Sequence, residues 1–351
     1  MKKIVLIGLG KVGSLVGRLI QEVGFELTAV DVMENNKLPY KVICGDSSDP
    51  EFLAKTFKGQ DAVVSCLPFH INKTVATAAA KAKIHYFDLT EDVPTTDYIA
   101  TLAENADTLF APQCGLAPGF IAITAADLAK RFDEIRGIYL RVGALPANPS
   151  GKLGYAFNWS PQGVVNEYLN DCTVIHNGDV KEIPSMQNRE NIYINGKRLE
   201  AFSTSGGIGS LCETYKGRTK ELNYKTMRYP GHLDMMQFFF NELHMKNRPE
   251  EAGEILVNAK PPVDEDVVLV YSAVEGYKNK KLFRHEFVRS YFPKEIAGET
   301  ERAISWTTAC SLVSILELLA AGKIPSKGFL KQESISLESF LSTQAGKHYV
   351  T

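Results

Sequence analysis

Apolar positions in the first 120 residues follow two alternating rhythms. Short β-branched runs (KKIVLIG, ELTAVDV, YKVICG, QDAVVSCLPF, IHYFDLT and DTLFAPQ) predict six strands, the first buried on both faces. Between them, stretches such as SLVGRLIQEVG and INKTVATAAAKAK carry apolar residues three and four apart and predict helices. Asp49 followed by Pro50 predicts the N-cap and first position of a helix over PEFLAKTF. Strands that alternate with helices predict an α/β fold, a doubly wound parallel sheet.

From about residue 135 the rhythm changes. Strand-like segments recur without regular helices between them: IRGIYLRVGALP, CTVIHNG, VKEIPS, NIYINGK, LEAFSTSGG and KELNYKTMRYPG. HNGD and NGK read as turns, so this part predicts an α+β arrangement around a mixed or antiparallel sheet. WSPQGVVNEYLN predicts a helix with Ser160 as N-cap and Pro161 next; GHLDMMQFFFNEL predicts a second. VVLVYSAVEGYKNKKLFRHEFVRSYF predicts a long hairpin whose exposed face would suit a homodimer or higher homo-oligomer. WTTACSLVSILELLAAGK predicts an apolar helix ending at Gly322, and ESISLESFLSTQAGK a terminal helix. The expected division is a dinucleotide-binding domain over 1–120, completed by 305–351, and a substrate-binding and dimerisation domain over 121–304.

Composition narrows the partners. The chain has 351 residues, 44% hydrophobic and 23% charged, with net charge −2, so neither nucleic acid nor a membrane surface is expected as partner. The N-terminal apolar run breaks at Gly8, too short for a signal peptide, and no stretch suggests a membrane span. The six cysteines include no C-x-x-C pair; free thiols in a reducing cytoplasm are expected, and no metal site.

The first strand runs into Gly8-Leu9-Gly10-Lys11-Val12-Gly13 and then a helix. This is the context in which G-x-G-x-x-G binds a dinucleotide. Gly8 permits the tight turn, Gly10 admits a pyrophosphate, and Gly13 lets helix and strand pack closely. The second strand ends at Asp31, 18 residues past Gly13, where a carboxylate meets the ribose hydroxyls and repels a 2′-phosphate; NAD is therefore expected over NADP. Asp46 ends the third strand where it could face the adenine. Ligands of such sheets bind beyond the carboxyl ends of the strands. Those ends carry Cys66-Leu67-Pro68, DLTED with Asp88, and QCGLAPGF with Cys114, Gly115 and Leu116. QCGLAPGF is expected to wall the nicotinamide and to bring Cys114 to the substrate, as a contact and not a nucleophile, although a purely structural strand-to-helix turn reads the same way for Cys114.

Polar groups on loops supply the candidate chemistry. Tyr155, Asn158 and Trp159 lie in GYAFNWSPQG, Ser203 to Ser205 in AFSTSGG, and Arg228 and His232 in MRYPGH. Arg228 suits a bidentate carboxylate contact or a surface salt bridge. His70, Asp88 and His232 are candidate proton acceptors; a surface histidine at a helix start and a turn-capping aspartate are the structural alternatives. Neither G-x-S-x-G nor H-E-x-x-H occurs, so nothing favours hydrolase chemistry.

GLGKVG, QCGLAPG, FNWSPQGVVNEYL with NGDVKEIPS, and EAFSTSGG followed by LNYKTMRYPGH stand in one order along the chain. In this the chain resembles the saccharopine dehydrogenase-like reductases, and within them most resembles the L-lysine 6-dehydrogenases. The resemblance implies a Rossmann domain and a mixed-sheet domain that supplies substrate contacts and often dimerises. It implies an NAD(P)-dependent oxidoreductase acting on CH–NH or CH–NH2 donors of an amino-acid substrate, here oxidative deamination of the lysine ε-amine. It places the cofactor on the glycine fingerprint, Asp31 and the LPF and LAPG segments, and the substrate near Trp159 and Arg228. The chain departs from it in carrying Pro68 and His70 after the fourth strand and in being short after MRYPGH. An imine reductase of the saccharopine or carboxynorspermidine type, and a non-catalytic NAD-binding sensor, are the alternatives.

Overall fold

The computed structural model describes residues 1–34 and 37–350, which divide into two compact units. Unit 1 comprises residues 1–123, 295–299 and 305–351, and unit 2 residues 124–294 and 300–304.

Unit 1 alternates strands and helices: β1 (Lys3–Ile7), α1 (Lys11–Glu22), β2 (Glu26–Asp31), β3 (Val42–Cys44), α2 (Pro50–Thr56), β4 (Ala62–Ser65), α3 (Phe69–Ala82), β5 (His85–Asp88), α4 (Val93–Ala103), β6 (Leu109–Ala111) and the start of α5 (Phe120–Ala129). Ile4 to Ile7 on β1 have no exposed surface, as a central strand covered on both faces requires. Burying each such side chain contributes roughly 1.5–3 kcal/mol. Asp49 and Pro50 open α2 as the sequence predicts, with Asp49 accepting from Glu51 N at 2.9 Å. Helix α4 carries Val93, Thr95, Thr96, Ile99 and Thr101, β-branched residues that hide a helical signal. Its start is nevertheless well made: Asp92 accepts from Thr95 N at 2.9 Å and Pro94 lies in the first turn.

Unit 2 begins with β7 (Glu134–Pro146), then α6 (Pro161–Leu169), β8 (Cys172–His176), β9 (Asp179–Ile183), β10 (Glu190–Ile194), β11 (Lys197–Ser203), α7 (Leu211–Tyr215), β12 (Glu221–Arg228), α8 (His232–Gln237), α9 (Pro249–Ala259), β13 (Asp266–Lys278) and β14 (Lys281–Tyr291). Its main sheet runs β10-β11-β12-β7-β13-β14, with β8 on β12 and β9 on β8. Only β12 and β7 are parallel, so the sheet is mixed, as expected. Asn177-Gly178 and Asn195-Gly196 both lie at positive φ in two-residue hairpin turns. Ser160 caps α6 through Gly163 N at 3.0 Å. The helix expected over GHLDMMQFFFNEL is instead α8 to Gln237 followed by a π turn over Phe238–Glu242. The core gathers Phe157, Tyr168, Leu199, Phe202, Met227 and Phe240.

After the short strands β15 (Lys294–Ile296) and β16 (Glu299–Glu301) come α10 (Ala303–Ala320), β17 (Gly328–Phe329) and α11 (Leu337–Ser342). Asp266 receives Ala303 N at 2.6 Å and Ile304 N at 3.0 Å and so caps α10. Strand β17 joins the edge of the first sheet, whose order is β17-β6-β5-β4-β1-β2-β3, all parallel. The expected terminal helix shrinks to α11, because a single helical turn over Gly346–Tyr349 follows it separately. One correction concerns hydropathy. Helix α10 has 18 residues of mean hydropathy 1.6, enough to cross a membrane by length and composition, yet 83% of it is buried within the protein, as in a core helix.

Candidate functional site

In unit 1 the strand order reverses between β1 and β4, which places a crevice at their carboxyl ends. Two segments meet there. Gly8, at φ +87°, turns against Cys66 and Leu67: a Cβ on it would lie 3.0 Å from the Cys66 carbonyl. Gly13 packs so tightly that a Cβ would lie 1.9 Å from Gly8 O. Gly10 differs from both. A Cβ there would meet nothing within 4 Å, so the fold alone does not require glycine at this position. No side chain among the described residues caps the N-terminus of α1, which opens at exposed Lys11 and half-buried Val12. An open cradle at a helix N-terminus fits the pyrophosphate of a dinucleotide.

Asp31 sits at the end of β2, beside this loop. Its Oδ2 accepts from Leu9 N at 2.6 Å and its Oδ1 from Met33 N at 3.2 Å. The carboxylate therefore holds the glycine turn in place and keeps lone pairs for a ribose. Asp46 is exposed and closes an Asx turn on Ser48 N and Oγ at 2.8 and 2.7 Å, and these bonds hold its carboxyl below the usual range. Strand β4 ends at Ser65, two residues before the expected end, and half-buried Cys66 and Leu67 lead to exposed Pro68, which opens α3. Burial pushes the Cys66 thiol up to about 12, with Asp88 adding to the shift.

The QCGLAPGF turn is tied into the sheet. Asp88 has no exposed surface. Its Oδ2 accepts the Tyr86 hydroxyl at 2.7 Å, and its Oδ1 accepts Thr90 N and Gln113 N at 2.9 and 3.1 Å. Its carbonyl accepts Cys114 N. Asp88 thus braces the turn instead of standing open as a proton acceptor, although burial pushes its carboxyl up to about 6. Cys114 is also sealed inside. Its thiol donates to Ala111 O at 3.0 Å and receives Gln332 Nε2 at 3.5 Å, so it does not fit the substrate contact expected of it. Gly115 and Leu116 are buried, and Gly119 packs so closely that a Cβ would lie 2.0 Å from Gly115 O.

His70 is exposed in the first turn of α3, with its ring edge-on to Phe69. Glu91, which is not among the residues expected from the sequence, lies in the loop after β5 between two buried, hydrogen-bonded carboxylates, Asp88 and Asp92. It is half-buried, and no side chain among the described residues bonds its carboxylate. Desolvation, with Asp92 and Asp88 nearby, pushes its carboxyl up to about 7. The motif DLTED held this signal as a run of acids at a strand's carboxyl end.

In unit 2 the expected residues Tyr155, Trp159, Arg228 and His232 come together at the end of β12. Arg228 is 3% exposed. Its Nε donates to Tyr168 Oη at 2.9 Å and its Nη1 to Met227 O at 2.9 Å, and the guanidinium lies 4.7 Å from the centre of the Tyr155 ring. The Tyr155 hydroxyl in turn accepts Trp159 Nε1 at 3.2 Å. Among the described residues no Asp or Glu forms an ion pair with Arg228; buried Glu167 acts on it only at longer range. Its Nη2 has no partner among the described residues and keeps contact with solvent. Arg228 is therefore not the surface salt bridge that its sequence equally allowed. A buried cation without a carboxylate partner is costly.

His232 is neither a surface histidine nor an available base. It is fully buried, with Nδ1 on Leu153 O at 3.0 Å and Nε2 on Tyr168 Oη at 2.9 Å. Burial, reinforced by Arg228, pushes its pKa down to about 3. Asn158, also buried, spends its Oδ1 on Val263 N at 2.8 Å and shapes a loop instead of meeting a ligand.

Comparison with known proteins agrees with this division of labour. The saccharopine dehydrogenase NADP binding domain matches residues 4–111, and the saccharopine dehydrogenase C-terminal domain matches residues 115–345. The mouse mitochondrial alpha-aminoadipic semialdehyde synthase is 25% identical over 260 residues, covering 68% of this chain and 28% of its own length. The saccharopine dehydrogenase [NADP(+), L-glutamate-forming] of Schizosaccharomyces pombe is 28% identical over 149 residues, covering 41% of this chain and 33% of its own. The chain thus aligns with about a third or less of these relatives. Apo saccharopine dehydrogenase (L-Glu forming) from Saccharomyces cerevisiae shares the fold, with a TM-score of 0.74 over 97% of this chain and 95% of that one at 14% identity. With its cofactor-type and C-terminal halves both matched, the chain belongs to the saccharopine dehydrogenase family.

Proposed function

We propose that the chain is a nicotinamide-dinucleotide-dependent oxidoreductase acting at a carbon–nitrogen bond of an amino acid, with the lysine ε-amine as leading substrate. The observation that carries the amino-acid reading is Arg228, a buried guanidinium with an open edge and no carboxylate of its own. Its edge would bind the α-carboxylate. Gly8, Gly10, Gly13, the start of α1 and Asp31 would hold the dinucleotide, which when bound supplies the hydride acceptor. Asp31 favours NAD. Asp31→Ala should weaken NAD binding and raise the use of NADP relative to NAD; an unchanged ratio of kcat/KM values would remove Asp31 from the ribose site.

The lysine ε-amine has a pKa of ~10.4, so only about one molecule in a few thousand is neutral near pH 7. A base must take the proton from the nitrogen before its lone pair can form C=N. Of the expected acceptors only His70 reaches solvent, and Glu91 joins it. We assign the base to Glu91, whose carboxyl, pushed up to about 7, is protonated and inactive below that pH and ionised above it. Glu91→Gln should lower kcat by about 10²–10⁴-fold and abolish the acid limb of the pH–rate profile near 7. An unchanged kcat in Glu91→Gln would return the role to His70.

The first experiment follows nicotinamide absorbance at alkaline pH, with NAD or NADP and L-lysine, saccharopine or a panel of amino acids and diamines. Reduction with lysine alone supports the leading reading. The names of the relatives favour a second one, in which saccharopine, a secondary amine, is the substrate and NADP the cofactor. Turnover of saccharopine only would establish that reading and remove lysine. Tight dinucleotide binding without turnover would instead indicate a sensor.

A further inference from the structure

We infer that His232 is a positioning residue, the end of a one-way hydrogen-bond chain that fixes the Arg228 guanidinium in its carboxylate-binding orientation; the inference rests on the reading of Arg228 given above. The direction of the chain follows from its ends. The Leu153 carbonyl can only accept, so the proton of a neutral imidazole sits on Nδ1, 3.0 Å away. Nε2 is then an acceptor, and the group facing it at 2.9 Å is the Tyr168 hydroxyl. That hydroxyl must donate to His232, which leaves its lone pairs for Arg228 Nε, also at 2.9 Å.

The ring is fixed from every side. Tyr155 and Tyr168 approach it edge-on, with centroids at 5.2 and 5.9 Å, and Phe202 stacks at 6.2 Å. Glu200 clamps the backbone on both sides of it, accepting Gly231 N at 3.2 Å and Leu233 N at 2.7 Å. Arg228, Tyr155 and Tyr168 are the titratable or charged side chains that face it, and Glu200 faces its backbone. A second proton on the ring would turn Nε2 into a donor, take the acceptor from Tyr168, and bury a second cation beside Arg228. The register of the sheet places Glu200 on β11 opposite Arg228 on β12, with the Glu200 carboxylate held by Gly231 N and Leu233 N and 3.8 Å from Arg189. The bonds to Tyr168 and Met227 O hold the guanidinium away from that carboxylate.

The test uses the full chain labelled with ¹⁵N-histidine. One imidazole should be a Nδ1–H tautomer whose shifts stay constant between pH 5 and 9. A His232 signal that titrates in that range, or an Nε2–H tautomer, overturns the proposal whatever the activity. Kinetics supply the second arm, with L-lysine and saccharopine as amino-acid probes. Tyr168→Phe and His232→Leu should each raise the amino-acid KM about tenfold, leaving the dinucleotide KM unchanged. His232→Gln, whose Oε1 can accept the Tyr168 proton, should recover most of the loss and serves where the leucine variant fails to fold. If Arg228→Lys raises the amino-acid KM while Tyr168→Phe and His232→Leu both match wild type and no His232 signal shows the expected tautomer, the anchor is refuted and the Arg228 reading stands. If Arg228→Lys also leaves KM unchanged, the carboxylate reading falls and the anchor falls with it.

Discussion

Arg228→Ala is expected to raise the KM for the amino-acid substrate by about a hundredfold or more and to leave the KM for the dinucleotide unchanged. Removing one partner of a buried, hydrogen-bonded charge pair costs about 2–5 kcal/mol, and each 1.4 kcal/mol is about tenfold. The stability of the free protein should move differently. Arg228 has no ion-pair partner among the described residues, and buried Glu167 acts on it only at longer range, so its burial carries a desolvation cost that no direct carboxylate contact offsets. Arg228→Met, of similar length and apolar, should therefore not lower the Tm of the apo protein, while losing substrate as completely as alanine. Steady-state kinetics on both variants, beside thermal unfolding without substrate, check the two halves. An equal rise in both KM values, or a Tm that falls by about 10 °C in the methionine variant, would show that Arg228 holds the fold together and not a ligand.

The second large effect separates two glycines of one motif. Gly13→Ala should cost about 3 kcal/mol and lower the Tm by about 10 °C, because the new methyl would sit 1.9 Å from Gly8 O, a backbone atom that cannot yield without parting α1 from β1. Gly10→Ala should leave the Tm within about 1 °C of wild type, since its φ is −66° and a Cβ meets nothing within 4 Å. Yet it should weaken dinucleotide binding about tenfold or more, since the methyl enters the space the pyrophosphate requires. Calorimetric titration with NAD and with NADP, next to thermal unfolding, measures both. Wild-type affinity in Gly10→Ala would mean that the open cradle is not the phosphate site.

The parallel sheet and the glycine turn were legible in the sequence because local signals coincided there: β-branched runs, glycines at fixed spacing and the cap at Asp49 all pointed one way. Helix α4 leaves little trace in the sequence, since its β-branched residues give little amphipathic contrast, and α9 lies outside the sequence expectation although Pro249 and two glutamates open it. The site was legible as a set of residue types and much less as roles. Arg228 and Tyr155 do meet, but the partner that connects them to His232 is Tyr168, an interior helix residue that reads as ordinary core. The sequence could not show that His232 and Asp88 are sealed and saturated, because burial and bond count are properties of the folded chain. Glu91 escaped notice for the converse reason: next to Asp88 and Asp92 it is one acid among three until the fold commits the other two.

The seventh strand of the parallel sheet bears on how the protein is made. Unit 1 is discontinuous: β17 pairs with β6 across more than two hundred intervening residues, and Gln332 reaches Pro112 O at 2.9 Å. During vectorial synthesis the ribosome releases nearly all of unit 2 before the segment that covers β6 has been translated. The sheet edge at β6 must therefore wait, unpaired, through the whole of that interval, and closing so long a loop adds entropy cost and delay. The cofactor-binding unit, first to emerge, is thus the last to be completed, and a nascent chain stalled in unit 2 would present an open β edge of the kind that recruits chaperones or aggregates.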